Sequence, residues 1–166
     1  MFEHNIGPFF DEKSNILILG SFPSVKSREE NFYYANKQNR FWKVLAQVFK
    51  DQVPESESEK KDFLTAHRIA LWDVIASCEI FGSSDASIKN VTPSDISLIL
   101  ENAPIEKLVL NGKKAAQLFY RNQGSALPLR NCRAQVIEVY ELPSTSPANA
   151  AFSIDKLIAH WSIISK

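Results

Sequence analysis

Chemistry in this chain is to be sought where apolar runs stop at small or polar residues. Gly20-Ser21-Phe22-Pro23-Ser24 follows the run Ile16-Leu17-Ile18-Leu19. Its amides and hydroxyls suit close approach to an anion or a base; a glycine and a proline flanked by serines also make a plain tight turn. The stretch is neither a Walker loop nor GxGxxG. Tyr33 and Tyr34 follow a polar loop, where an aromatic ring either packs in the core or stacks on a flat ligand. Asn39 stands just before an apolar helical pattern. Its carboxamide can cap that helix, or orient a water and hydrogen-bond an amide-like base edge. Asp73 ends the apolar run Ile69-Ala70-Leu71-Trp72, and a buried carboxylate is unfavourable unless it is paired or functional. Asp85 lies in a Ser-rich stretch and reads most simply as a turn former. Lys113 and Lys114 follow Gly112, either as phosphate contacts or as solvated helix lysines. The segment LPSTSPANA, 142–150, has no GxSxG elbow, and His4, His67 and His160 hold no triad position. A serine hydrolase is therefore not indicated. The same hydroxyls and amides suit phosphate contacts, which do not require many cations.

These residues need a frame. Buried strands are expected at 15–19, 69–75, 108–112 and 134–140, from short apolar runs bounded by Gly, Pro or polar residues. Helical spacing places helices at Phe41–Phe49, Glu57–Ala66, from Thr92 onward with Pro93 in the first turn, at Lys113–Tyr120 and at Ser153–Ile164. Residues 2–10 read as an arm on the body anchored by Phe9 and Phe10, and 51–61 as a solvated connection. Cys78–Pro93 reads as a long polar loop. Strands alternating with helices imply a mainly parallel sheet covered on both faces. Right-handed crossovers then bring the loops that begin at Gly20, Asp73, Asn111 and Leu142 to one margin, where open α/β sheets bind ligands.

The bulk numbers narrow the class. The 166 residues suit one domain, 1–166. Lys+Arg and Asp+Glu are both 19, so a strongly basic nucleic-acid domain is excluded while a local basic patch is not. Cys78 and Cys132 lack CxxC spacing, which argues against a cysteine-based metal or iron–sulfur site and for a reducing, cytoplasmic compartment. No apolar run approaches a membrane span of about 20 residues, and no signal-peptide core opens the chain.

Four pieces together carry a resemblance: GSFPS at 20–24, YYAN-x-x-NRFW at 33–42, GSSDASI at 82–88 and LPSTSPANA at 142–150. In this order they resemble the uracil-DNA glycosylase superfamily over nearly the full length, and most of all its hypoxanthine-DNA glycosylase (DNA-deoxyinosine glycosylase) branch. The resemblance implies a three-layer α/β/α sandwich on a short, mainly parallel four-stranded sheet. It implies a partner, double-stranded DNA carrying a deaminated or mispaired base, with no cofactor and no metal, acted on by a monomer. Carried over by position, Tyr34 stacks on the flipped base and Asp73 reads its edge, with Gly20, Ser21 and Phe22 around it. Asn39 is the leading catalytic residue, with Asp85 second. Pro23, Ser24, Lys113, Ser144, Thr145, Ser146, Pro147 and Asn149 fall to the DNA grip. Phe22 and Leu142 occupy positions where relatives carry a water-handling Asp or Asn and a base-polarising histidine, so catalysis must use polar groups elsewhere.

The expected activity is monofunctional: hydrolysis of the N-glycosidic bond of an extruded deaminated base, hypoxanthine first and uracil second, in base excision repair. A non-catalytic DNA-damage binding module and a small α/β hydrolase acting on nucleosides are the alternatives.

Overall fold

The structure is a computed structural model that describes residues 2–3, 6–79 and 88–166. Four parallel strands form its centre: β2 (Ile16–Gly20), β3 (Ile69–Asp73), β6 (Lys107–Asn111) and β7 (Glu138–Leu142), in the order β3-β2-β6-β7. A second, antiparallel sheet joins β1 (Phe2–Glu3), β4 (Ile75–Glu79) and β5 (Lys89–Pro93) in the order β1-β4-β5.

The central strands read as continuous apolar runs because both faces of the sheet are covered. Leu17, Leu19, Ala70, Leu108 and Leu110 point to one side. There they meet Ile99 and Leu100 of α4 (Ser97–Leu100), Leu118 and Phe119 of α5 (Lys113–Gln123), and Ile75 and Cys78 of the small sheet. Ile16, Ile18, Ile69, Leu71 and Val109 point to the other. That side is closed by α2 (Phe41–Val48), α3 (Glu57–Ala66) and α6 (Ile154–Trp161). Leu17, Ile18 and Leu19 are 0% exposed, and each such side chain contributes about 1.5–3 kcal/mol of burial. The mixed α/β architecture expected from the alternation of elements is thus present.

Register fixes the site. Gly20 pairs with Asp73 and Asn111 with Leu142, so all four strands end at one margin, as right-handed crossovers require.

Several boundaries differ from expectation. The single strand expected at 69–75 is two. After Asp73 the chain turns, with Val74 N–H bonded to Gly20 O at 2.8 Å, and Ile75–Glu79 enters the small sheet. The long polar loop expected at Cys78–Pro93 has strand at both ends; Cys78 is fully buried, while β5 is a largely exposed edge strand. One-sided edge strands carry polar residues without apolar periodicity, which is why pattern alone misses them. Pro93 ends β5 instead of opening a helix, and α4 begins only at Ser97. The fourth strand starts at Glu138, not Ala134: the Asn131 carboxamide accepts from the N–H groups of Arg133 and Gln135 and holds that stretch in a turn. A short helix, α1 (Val25–Glu30), occupies the expected polar loop, its N-terminus capped by Ser24 accepting from Ser27 N–H at 3.1 Å. The N-terminal arm does lie on the body, with Phe9 bridged to Leu71 and the Tyr33 hydroxyl donating to Gly7 O at 2.7 Å.

Candidate active site

The four strand ends surround one hollow. Gly20, Ser21, Phe22, Tyr34, Asn36, Asn39, Asp73, Asn111, Ser144 and Thr145 are among its lining residues, and it holds about 590 Å³ including its open mouth. Glycine is required at position 20 by what crosses in front of it. A Cβ there would lie 2.7 Å from Asp73 Oδ1, closer than real Cβ contacts come, and 3.1 Å from the Tyr34 hydroxyl, tighter than most. Gly20 therefore lets a carboxylate and a phenol share one corner of the slot.

Tyr34 is held in a conformation that non-glycine residues rarely take, φ +52°. Backbone strain of about 1–3 kcal/mol persists only where surroundings over-determine it. Here Trp42 Nε1 donates to Tyr34 O at 3.1 Å, Asn111 Nδ2 donates to its hydroxyl at 3.2 Å, and its ring stacks on Phe41 with centroids 3.8 Å apart. One face of Tyr34 is thus taken by Phe41. Its neighbour Tyr33 is core: buried, bonded to the N-terminal arm, with a phenol pKa raised first by burial and then by the negative charge of Asp73.

A chain of side-chain hydrogen bonds links three loops across the slot. Asn111 Nδ2 donates to Thr145 Oγ1 at 3.2 Å, and Asn111 Oδ1 accepts from Thr145 N–H at 3.1 Å. Thr145, fully buried, donates its hydroxyl to Asn39 Oδ1 at 2.8 Å. The same Asn39 oxygen accepts from Phe41 N–H at 3.0 Å. An amide N–H is an obligatory donor, so this contact fixes which end of the Asn39 carboxamide is oxygen. Asn39 is therefore a helix-start acceptor and a site residue at once. Its oxygen is committed to two donors, and the group it has to offer a ligand is its NH₂.

The segment after β7 is held from beneath. Arg40 donates through Nη2 to Ser146 O at 2.9 Å and to Asn149 O at 3.1 Å, and through Nη1 to Phe152 O. Asn149 Nδ2 donates back to Ser144 O at 3.0 Å. Gly112, at φ +100°, allows Ser144 to approach, since a Cβ there would sit 2.9 Å from Ser144 Cβ. Five planar donors suit a cluster of carbonyls where a lysine would reach one.

Of the residues singled out in the sequence, Gly20, Ser21, Phe22, Tyr34, Asn39, Asp73, Ser144 and Thr145 meet around this hollow, with Pro23 and Ser24 on its rim. Pro23 is buried, Pro147 is exposed at the tip of its loop, and Lys113 is exposed at the start of α5. Phe22 is 8% exposed, with the Arg28 guanidinium 5.3 Å from its ring centroid. Asp85 lies outside the described residues. Asn111 and Asn36 line the slot without having been singled out. The signal for Asn111 was present, a polar residue at a strand end before glycine, the same signal that marked Asp73. Among the described residues Asp73 is the charged side chain of the slot, and no lysine or arginine lines it. Among the described residues no three His, Cys, Asp or Glu side chains gather as a metal-ligand set, and no helix is long and apolar enough to cross a membrane.

Comparison with known proteins gives concordant matches. The family model described as the uracil DNA glycosylase superfamily matches residues 8–162. A protein of Methanosarcina acetivorans named hypoxanthine DNA glycosylase is 35% identical over 155 residues, 92% of each chain. One of the same name from Methanosarcina barkeri is 34% identical over 112 residues, 66% of this chain and 71% of that one. A solution NMR structure of a Methanosarcina acetivorans protein, described as a candidate uracil DNA glycosylase, superimposes with a TM-score of 0.80 at 29% identity, over 99% of this chain and 97% of the other.

Proposed function

This chain belongs to the uracil DNA glycosylase superfamily and is a DNA glycosylase, and we propose that the base it removes is hypoxanthine, extruded from DNA into the slot at the sheet margin. The observation that supports a deaminated base is the presence, in one hollow, of the buried Asp73 carboxylate and the NH₂ of Asn39, and the name of the relatives favours hypoxanthine among such bases. A deaminated base presents a lactam, a ring N–H beside a carbonyl. A carboxylate accepts from the first and an amide donor serves the second or the base's acceptor nitrogens. Adenine offers a ring acceptor where hypoxanthine has the N–H, and would leave the buried carboxylate facing a lone pair. Unmatched buried polar groups of this kind discriminate strongly.

The mechanism follows from charge. A mispaired nucleotide is the easiest to extrude, at about a few kcal/mol. The base stacks on the face of Tyr34 that Phe41 leaves. As the C1′–N bond lengthens, its electron pair goes to the base and positive charge grows on the sugar. Donors fixed before reaction stabilise the developing base anion without reorganisation, and the Asn39 NH₂, held in place by Thr145 and Asn111, is fixed in that sense. Asp73 favours the sugar cation. A water accepts a hydrogen bond from Asn39 NH₂ and uses its second lone pair to attack C1′. Its proton passes to solvent and the base takes one up, so an abasic site and a neutral base result. Asp85 is a second candidate for holding that water. The 144–149 segment and Ser24 would contact the backbone, with Pro147 as the wedge and Lys113 beside a phosphate. Residues 1–166 would act as one unit and as a monomer. The two free cysteines suit a reducing, cytoplasmic setting.

The test is a panel of duplexes holding inosine, uracil, xanthine or thymine in mispairs, scored for alkali-labile abasic sites. Inosine cleaved fastest is the expected result. Uracil cleaved tenfold faster than inosine would overturn the proposed base preference, and no product from any duplex at enzyme excess would leave a damage-binding protein.

A further inference from the structure

Among the described residues no lysine or arginine lines the slot, and the chain as a whole has no net charge. A protein that holds a polyanion must find its positive charge elsewhere. Directly beside the slot lies a second hollow, lined between α2, the 53–55 segment and α3, and the two share Tyr34, Asn36 and Asn39 as a common wall. Lys37, Lys43 and Lys60 all line this groove. Counted with its open mouth it spans about 1190 Å³, against about 590 Å³ for the slot counted in the same way.

None of the three makes a salt bridge among the described residues, as Lys26 and Lys61 do with a glutamate on their own helix, and Lys60 is set apart from ordinary solvated lysines by its partial burial. Two carboxylates also line the groove against its three lysines: Glu30, which Lys26 holds at 3.2 Å, and Glu55. The Lys60 ammonium lies 5.4 Å from the Trp42 ring centroid, and partial burial lowers its pKa, a state that a phosphate oxygen would relieve. Val53, 45% exposed, gives the groove an apolar side against which a deoxyribose can lie.

We propose that this groove carries the DNA strand adjoining the extruded nucleotide, with Lys37, Lys43 and Lys60 neutralising successive phosphates. The inference rests on the reading of the slot as a DNA glycosylase site. Release of condensed counterions makes it measurable, since each neutralised phosphate adds about 0.7–0.9 to the slope of log Kd against log salt.

The probe is a duplex with a tetrahydrofuran abasic analogue at the target position, which cannot be excised, titrated by fluorescence anisotropy from low to moderate KCl. The triple variant Lys37→Gln, Lys43→Gln, Lys60→Gln is expected to flatten the slope by about 2–2.7, equivalent to about 20- to 40-fold less weakening between 50 and 200 mM salt. Should that variant not fold, Lys37→Gln with Lys43→Gln leaves Lys60 over Trp42 and is expected to flatten it by about 1.4–1.8. A charge-matched control, Lys13→Gln with Lys50→Gln, should leave the slope in place. An unchanged slope in the groove variants, or an equal change in the control, would overturn the groove. If wild-type protein excises no base while the groove variants flatten the slope, the groove stands and the glycosylase reading falls. If excision is present and the slopes coincide, the groove alone falls.

Discussion

The slot and the groove share a wall and are built on opposite principles. Among the described residues the slot is neutral apart from Asp73, and its amides are held in place: the Asn39 oxygen by Thr145 and Phe41, Asn111 by Thr145 and Tyr34, leaving the Asn39 NH₂ to a ligand. The groove has lysines on flexible stems without salt-bridge partners among the described residues. Stabilising a charge that exists only in a transition state calls for dipoles fixed in advance. Holding a polyanion in salt solution calls for cations that displace counterions and need no fixed direction. The difference teaches that changes in the slot should alter rate at any salt, and changes in the groove should alter salt dependence.

The largest effect should come from Asn39→Asp. Aspartate still accepts from Phe41 N–H and from the Thr145 hydroxyl, so the helix start survives, but the NH₂ donor is gone. Single-turnover excision of inosine should fall by about 10²–10³, the scale of losing one fixed donor, with melting temperature unchanged. Wild-type excision by this variant would reduce Asn39 to a cap.

Gly20→Ala comes next. Its methyl group would meet Asp73 Oδ1 and the Tyr34 hydroxyl at 2.7 and 3.1 Å. Relieving these contacts must move Asp73 or Tyr34, and a misplacement of about 1 Å lowers rate by about 10²-fold, while the salt slope for duplex binding should stay as in wild type. A changed slope with an intact rate would erase the distinction between the two hollows.

Arg40→Met should leave the carbonyls of Ser146, Asn149 and Phe152 without their charged donor. Hydrogen bonds to charged groups contribute about 1.5–3 kcal/mol each and more is lost when acceptors stay buried, so urea unfolding should show a loss of about 2–4 kcal/mol. Faster proteolysis within 144–152 should accompany it.

The smallest effect comes from a pair that lines neither hollow. The Asp51 carboxyl is held below the usual range first by its hydrogen bond from His67 and then by Gln52 N–H. A depressed folded-state pKa contributes stability above the unfolded value of about 4 and loses it as pH falls through the folded one. His67→Ala should therefore move the acid limb of a thermal-stability profile slightly upward, and leave excision near pH 7 untouched. A measurable change in excision would show the two ends of the molecule to be coupled.

Much of the frame was legible because both faces of β2 and β6 are covered, so Ile16–Leu19 and Leu108–Leu110 read as unbroken apolar runs. The small sheet was not legible, because β5 is a polar edge strand and β4 continues an apolar run that pattern assigns to β3. The strand ends that bound the slot followed from the parallel order. Asn111 was placed at that margin but given no role, because its role lies in its partners Tyr34 and Thr145, which no local spacing encodes.

The sequence by itself determined which residues stand at strand ends and in which order, because burial imposes periods of 2 and 3.6 on local composition. Only tertiary structure decided what those residues have to offer. The Asn39 oxygen is consumed by a threonine 106 positions away, leaving a donor where composition shows merely an amide. Hydrogen bonds that span such separations depend on the register of distant strands, and register is a property of the folded chain.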